Sequence, residues 1–167
     1  ARLASLLYFS DDPSRARQLA RSALDRARRL DDVRALVAAN AVTHDAFVVG
    51  QADLDGQLRG SEQLVGWALQ SGSSADLLTA YRARVIDLLA AGDMASLDRE
   101  VAAFRRVAAP LRSPGYQWWL EIWSAMRALL EGRLDGAEAQ AVAAFGAGER
   151  SFPSLAMINF SFLLFFL

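Results

Sequence analysis

Cysteine and lysine are both absent from the 167 residues, and His44 is the only histidine. Without cysteine there is no disulfide framework, no thiolate nucleophile and no Cys-ligated zinc or iron–sulfur centre. A single histidine excludes a His-rich metal site too, so only a carboxylate-rich site is left to hold an ion, and neither metal nor cofactor is expected. Without lysine no Gly-x-x-x-x-Gly-Lys-Ser/Thr loop exists to cradle nucleotide phosphates. Serines are numerous, but a serine nucleophile needs a positioned base. No Gly-x-Ser-x-Gly elbow occurs, and His44 falls inside a predicted helix. The expectation is a protein that is not an enzyme.

An excess of positive charge is missing as well. All 18 basic residues are arginine, set against 19 acids, for a net charge of −1. Gripping duplex nucleic acid normally takes a Lys/Arg excess that displaces counterions, so this domain is expected to bind no DNA or RNA directly. The arginines are unevenly spread. Arg15, Arg17, Arg21, Arg26, Arg28 and Arg29 crowd residues 13 to 29 beside only Asp25, which reads as a solvated helix face or as a surface for an anionic partner. Arginine without lysine beside abundant alanine marks GC-rich coding sequence and points to a bacterial source. Long apolar runs are also lacking: Leu155 to Leu167 is 13 residues, against about 20 for a membrane span. With no signal-peptide pattern, the expectation is a cytoplasmic chain that does not enter a membrane. A start without Met and an apolar, uncapped end at Phe165-Phe166-Leu167 suggest a piece of a longer protein.

What the sequence has in plenty is alanine and leucine, 32 and 25 residues, about a third of the chain. Both are strong helix formers, whereas sheets favour β-branched residues. The length suits one domain or a short repeat array. Ile86 to Met94 superimposes on Met126 to Leu134 at an offset of 40 residues, and the same step back places Asp93 on Asp53. About one further period reaches Asp11-Asp12-Pro13. Helical patterns flank each turn, so the expected fold class is all-α: an α-α superhelix of about four antiparallel helix pairs in a single domain over 1–167. Nine helices are predicted. A first lies near Leu3 to Phe9. The second runs to about Leu30 with Asp12 as cap and Pro13 at its first position. The next cover Val33 to Val49, Leu54 to Gln70, Ala75 to Ala91 and Met94 to Leu111. Gly115 to Glu131 and Leu134 to about Gly148 follow, and the ninth begins near Pro153. Gly92 suits a left-handed helix end. The pairs Asp11/Asp12, Asp31/Asp32 and Asp53/Asp55 fall at helix starts, where capping accounts for them.

The turns Gly92-Asp93-Met94-Ala95 and Gly132-Arg133-Leu134-Asp135-Gly136-Ala137 resemble tetratricopeptide (TPR) turns, in which a small alanine lets two helices approach. The run from Leu6 to Ala16, followed by Ala23 to Asp32, resembles the TPR-like solenoid of large bacterial ATP-dependent transcriptional regulators of the MalT (maltose-regulator) and LuxR-like kind, including their actinobacterial relatives. The resemblance covers most of the chain. It implies a sensor or interaction module placed after an ATPase, with DNA-binding or nucleotide-cyclase domains elsewhere in the same protein.

In a solenoid, equivalent positions of successive first helices line one surface. At the 40-residue offset His44, Arg84 and Ser124 are equivalent, as are Phe47, Asp87 and Arg127, and Tyr81 and Glu121. Asp87 and Arg127 are placed so that they could pair between neighbouring repeats, with Arg84 one turn from Asp87 on the same helix face. These polar groups either satisfy one another or face a groove. Tyr116, Trp118, Trp119 and Trp123 form an aromatic cluster. Trp119 and Trp123 have core spacing, while Trp118 points away, as packing or as a hot spot or stacking platform. The candidate binding residues are His44, Tyr81, Arg84, Asp87, Trp118, Glu121 and Arg127, for a protein segment or a small effector. The alternative is a scaffold or homodimer joined through the apolar ninth helix.

Overall fold

A proline or a side-chain cap opens each of the first four described helices. The computed structural model describes residues 13–30, 32–47 and 53–166, all of them helices and turns with no strand among them. Helix α1 (Pro13–Leu30) buries Ala16, Ala20, Leu24 and Ala27, the three- and four-residue spacing of one helical face. Arg28 and Arg29 occupy its last turn, where positive charge suits the helix dipole. Helix α2 (Val33–Phe47) starts under Asp32, whose carboxylate accepts from the N–H groups of Arg34 and Ala35. Helix α3 (Leu54–Ser71) is capped by Asp53, which accepts from Gly56 N–H, and α4 (Ser74–Ala91) by Ser73. Gly92, at φ 69°, ends α4 in the left-handed conformation that glycine adopts without a Cβ penalty.

Helix α5 (Met94–Ala108) passes into a 3-10 turn, Ala109–Leu111. The predicted sixth helix therefore stops early, because Pro110 has no N–H to continue the ladder. Helices α6 (Pro114–Leu130), α7 (Leu134–Gly148) and α8 (Pro153–Phe166) complete the order. Ser113 precedes Pro114 as expected but makes no side-chain cap. The first predicted helix, the Asp12 cap and the end of the third helix at Val49 lie outside the described residues. Helices α3, α5 and α7 begin at Leu54, Met94 and Leu134, intervals of 40 residues, as the repeat offset requires.

The chain divides into two compact units, Ala1–Val107 and Ala108–Leu167. Within the first, α1 packs on α2, α2 on α3 and α3 on α4, while α2 also lies against α4. Helices α2 and α4 thus share one layer of stacked hairpins, and α1 and α3 stand in the other. Val37, Ala41, Leu64, Ala68, Ala80 and Ala83 make the core where α2, α3 and α4 meet, with Trp67 packed against it. On its other side α2 packs Ala39 against Leu24 and Ala27 of α1. Within the second unit α6 packs on α7, α7 on α8, and α6 reaches α8. Most of this core is alanine, whose small side chain lets helix axes approach. Among the described residues, no helix is long and apolar enough to cross a membrane.

Candidate functional site

A groove of about 350 Å³ opens in the first unit between α1 and α3, over α2. Arg21, Leu24 and Arg28 line the α1 wall, while Asn40, Thr43 and His44 come from α2. The α3 wall holds Asp53, Gly56, Gln57, Gly60, Ser61 and Gln63. Each wall owes its composition to helix geometry. Arg21, Leu24 and Arg28 are three, four and seven residues apart and share a face, as do Asp53, Gly56, Gln57 and Gly60. Thr43 Oγ1 donates to the carbonyls of Ala39 (2.9 Å) and Ala20 (3.3 Å), tying α2 to α1 at the groove.

Behind the α2 side lies a charged cluster. His44 Nε2 is 2.8 Å from Asp87 Oδ1, and the two side chains are 6% and 0% exposed. Asp45 Oδ1 lies 3.6 Å from His44 Nδ1, beyond a hydrogen bond but near enough to attract a proton's charge. Arg82 donates from one nitrogen to both Asp45 oxygens at 2.8 Å. Burial works against a charged imidazole here, but the carboxylates of Asp45 and Asp87 outweigh it and raise the His44 pKa to about 9. Burial also opposes ionisation of Asp45, and the Arg82 and His44 charges overcome it, holding its carboxyl below the usual range. At neutral pH the cluster contains an imidazolium between two carboxylates.

The structure separates the seven sequence candidates. His44 lines the groove, and Asp87 holds it from α4. Arg84 reaches the back of the α3 wall, donating to Leu58 O at 2.6 Å and to Ser61 Oγ at 3.4 Å. Tyr81 is half-buried on α4. Asp87 meets His44, because the α2–α4 contact joins residues 43 apart rather than equivalent ones. Arg127 donates to Glu131, one turn on in its own helix, at 2.7 Å, and Glu121 accepts from Gln117 at 3.5 Å. Trp118 is 0% exposed, packed between Trp119 and Phe152 with ring centroids 4.7 and 5.4 Å away. As a stacking platform or surface hot spot it is therefore corrected to a core residue. Trp123 is buried at its expected spacing, and Trp119 partly so.

Sequence reasoning did not single out Asn40, Gln57, Gly60 or Gln63, and it treated Arg21 and Arg28 only as part of a charge run. The missed signal was the spacing of Gly56 and Gly60, four apart among the three glycines of one predicted helix, where glycine ordinarily needs a packing or functional reason. Among the described residues no group of three or more His, Cys, Asp or Glu is placed to hold a metal ion. Comparison with protein-family models, with curated proteins and with solved structures returned no match.

Proposed function

We propose that this chain is a non-catalytic binding module: a TPR-like effector-sensing or protein-interaction solenoid of a bacterial, cytoplasmic transcriptional or signalling regulator, with the α1/α3 groove as its binding site. The observation that carries this reading is the make-up of the groove, which offers guanidinium, amide and hydroxyl groups but no nucleophile beside a base. A general base must be able to take a proton near the working pH. His44 is already protonated at neutral pH, with Nε2 committed to Asp87, so it favours holding over reacting. By resemblance, the occupied groove reports to an ATPase and to DNA-binding or cyclase domains elsewhere in the same protein.

A thermal-shift screen of the purified chain against small metabolites and short peptides tests this reading. A ligand at about 100 times its Kd adds about 2.7 kcal/mol to stability. The shift is expected to vanish in Gln57→Leu and Gln63→Leu and to persist in Arg150→Ala, remote in sequence. Hits indifferent to both groove substitutions contradict the assignment. The alternative, a homodimer through α8, draws on Met157, which is 53% exposed. It predicts a dimer by sedimentation that Met157→Glu dissociates.

A further inference from the structure

The occupant of the groove can be narrowed by chemistry, and the narrowing rests on the groove being the binding site. We infer that the groove takes a small organic anion, its phosphate or carboxylate drawn to Arg21 and Arg28 and its body laid against the bare backbone of α3 at Gly60. Size favours a small molecule over a protein segment: about 350 Å³ is near the lower end for small-ligand sites. Charge favours an anion. Arg21 and Arg28 lie two turns apart on one wall, roughly 10 Å along the helix, whereas the His44 charge is offset by Asp45 and Asp87. Asp53 is the only carboxylate in the lining, and it is engaged in capping α3 through Gly56 N–H at 2.8 Å. The Arg28–Asp25 contact, at 3.5 Å between two exposed side chains, is the kind of surface pair that yields readily to a better partner.

Helix α3 carries three glycines, Gly56, Gly60 and Gly66, and the two that line the groove have different reasons to be there. At Gly56 a Cβ would collide with the capping carboxylate of Asp53, so the fold itself accounts for that glycine. At Gly60, as at Gly66 outside the groove lining, a Cβ would meet nothing within 4 Å. Glycine in a helix interior is destabilising relative to alanine, and packing gives no reason for it at this position. What it does is leave the helix backbone bare where it faces the groove. Beside it Gln57 lines the groove, and its Nε2 is buried without a hydrogen-bond acceptor, a donor that reaches an occupant's oxygen once the side chain turns toward the groove.

Isothermal titration of the whole chain with inorganic phosphate, citrate and glucose 6-phosphate, with glucose as the neutral control, tests the inference. At least one anion is expected to bind, about tenfold or more tighter than glucose, and to weaken as salt rises. Arg28→Gln is expected to weaken it at least about tenfold. Gly60→Ala is expected to raise Tm by about 2–4 °C, through helix propensity alone, while weakening the same anion about tenfold or more. Phosphate binding as well as citrate identifies a site for the anionic group itself; glucose 6-phosphate alone identifies a sugar phosphate. No binding by any anion at about 10 mM overturns the inference, as does Gly60→Ala with raised Tm and unchanged affinity. If a neutral or cationic compound from the thermal screen binds and is lost in Gln57→Leu, the groove stands as the site and the anion assignment falls. Anion binding that survives both Arg28→Gln and Gln57→Leu removes the groove as well.

Discussion

At the scale of single residues, the sharpest energetic commitment is the His44–Asp87 pair. Asp87 is 0% exposed, and only Oδ1 has a hydrogen-bond partner. Removing the imidazole strands a buried carboxylate, so His44→Ala is expected to cost about 3–5 kcal/mol in urea unfolding. His44→Ala combined with Asp87→Ala is expected to cost less than the sum of the two single changes. The pair also sets a pH dependence. Because the folded pKa of about 9 exceeds the unfolded value near 6.5, its stabilisation is complete below about pH 6.5, declines between 6.5 and 9, and is gone above that. The full contribution is on the order of 3 kcal/mol, and His44→Gln is expected to flatten the decline measured by thermal melts between pH 6 and 10. Asp45 acts in the opposite sense: its lowered pKa gives stability that is lost as pH falls through the acid range. Both His44 and Asp87 were legible in the sequence as polar interruptions of apolar helices. Their pairing was not, because a 40-residue register aligns equivalent backbone positions. Contact across α2 and α4 depends on how each helix is rotated and how far an imidazole reaches.

At the scale of elements, small residues decide how near two helices come. Gly148 at the end of α7 sits against the edge of the Trp118 indole, and a Cβ there would collide with Nε1 and its neighbouring ring atoms. Since Trp118 is fully buried, it has little room to yield. Gly148→Ala is expected to destabilise by about 1–3 kcal/mol, the opposite sign to Gly60→Ala in α3, and paired denaturation curves check the contrast. Gly92→Ala is expected to cost about 1 kcal/mol, because φ 69° is a left-handed conformation that a Cβ disfavours. Element positions were the most legible feature of the sequence. Pro13, Gly92, Leu134 and Pro153 mark helix ends in the structure as their turn chemistry indicates. The sequence left Trp118 open between packing and exposure for a physical reason. Helix α6 packs against both α7 and α8, so it has apolar contacts on two sides, and a one-stripe reading assigns the second side to solvent.

At the scale of the whole molecule, an all-α chain with net charge −1 concentrates a local excess of positive charge on α1, where six arginines face one aspartate. The groove was not legible because it is made by what stays apart. Periodicity shows which residues share a helix face, whereas the space between α1 and α3 depends on how α2 separates them. The central claim is that binding occurs in that space and on that layer. Its most direct test is a 1H–15N NMR titration of the full chain with the anion that titrates tightest. The account predicts saturable shifts concentrated on the amides of Arg21, Arg28, Asn40, Gln57 and Gly60 and on the Gln57 side-chain amide. Shifts centred on the α4 positions Tyr81 and Arg84, or spread evenly over all exposed arginines, would contradict it.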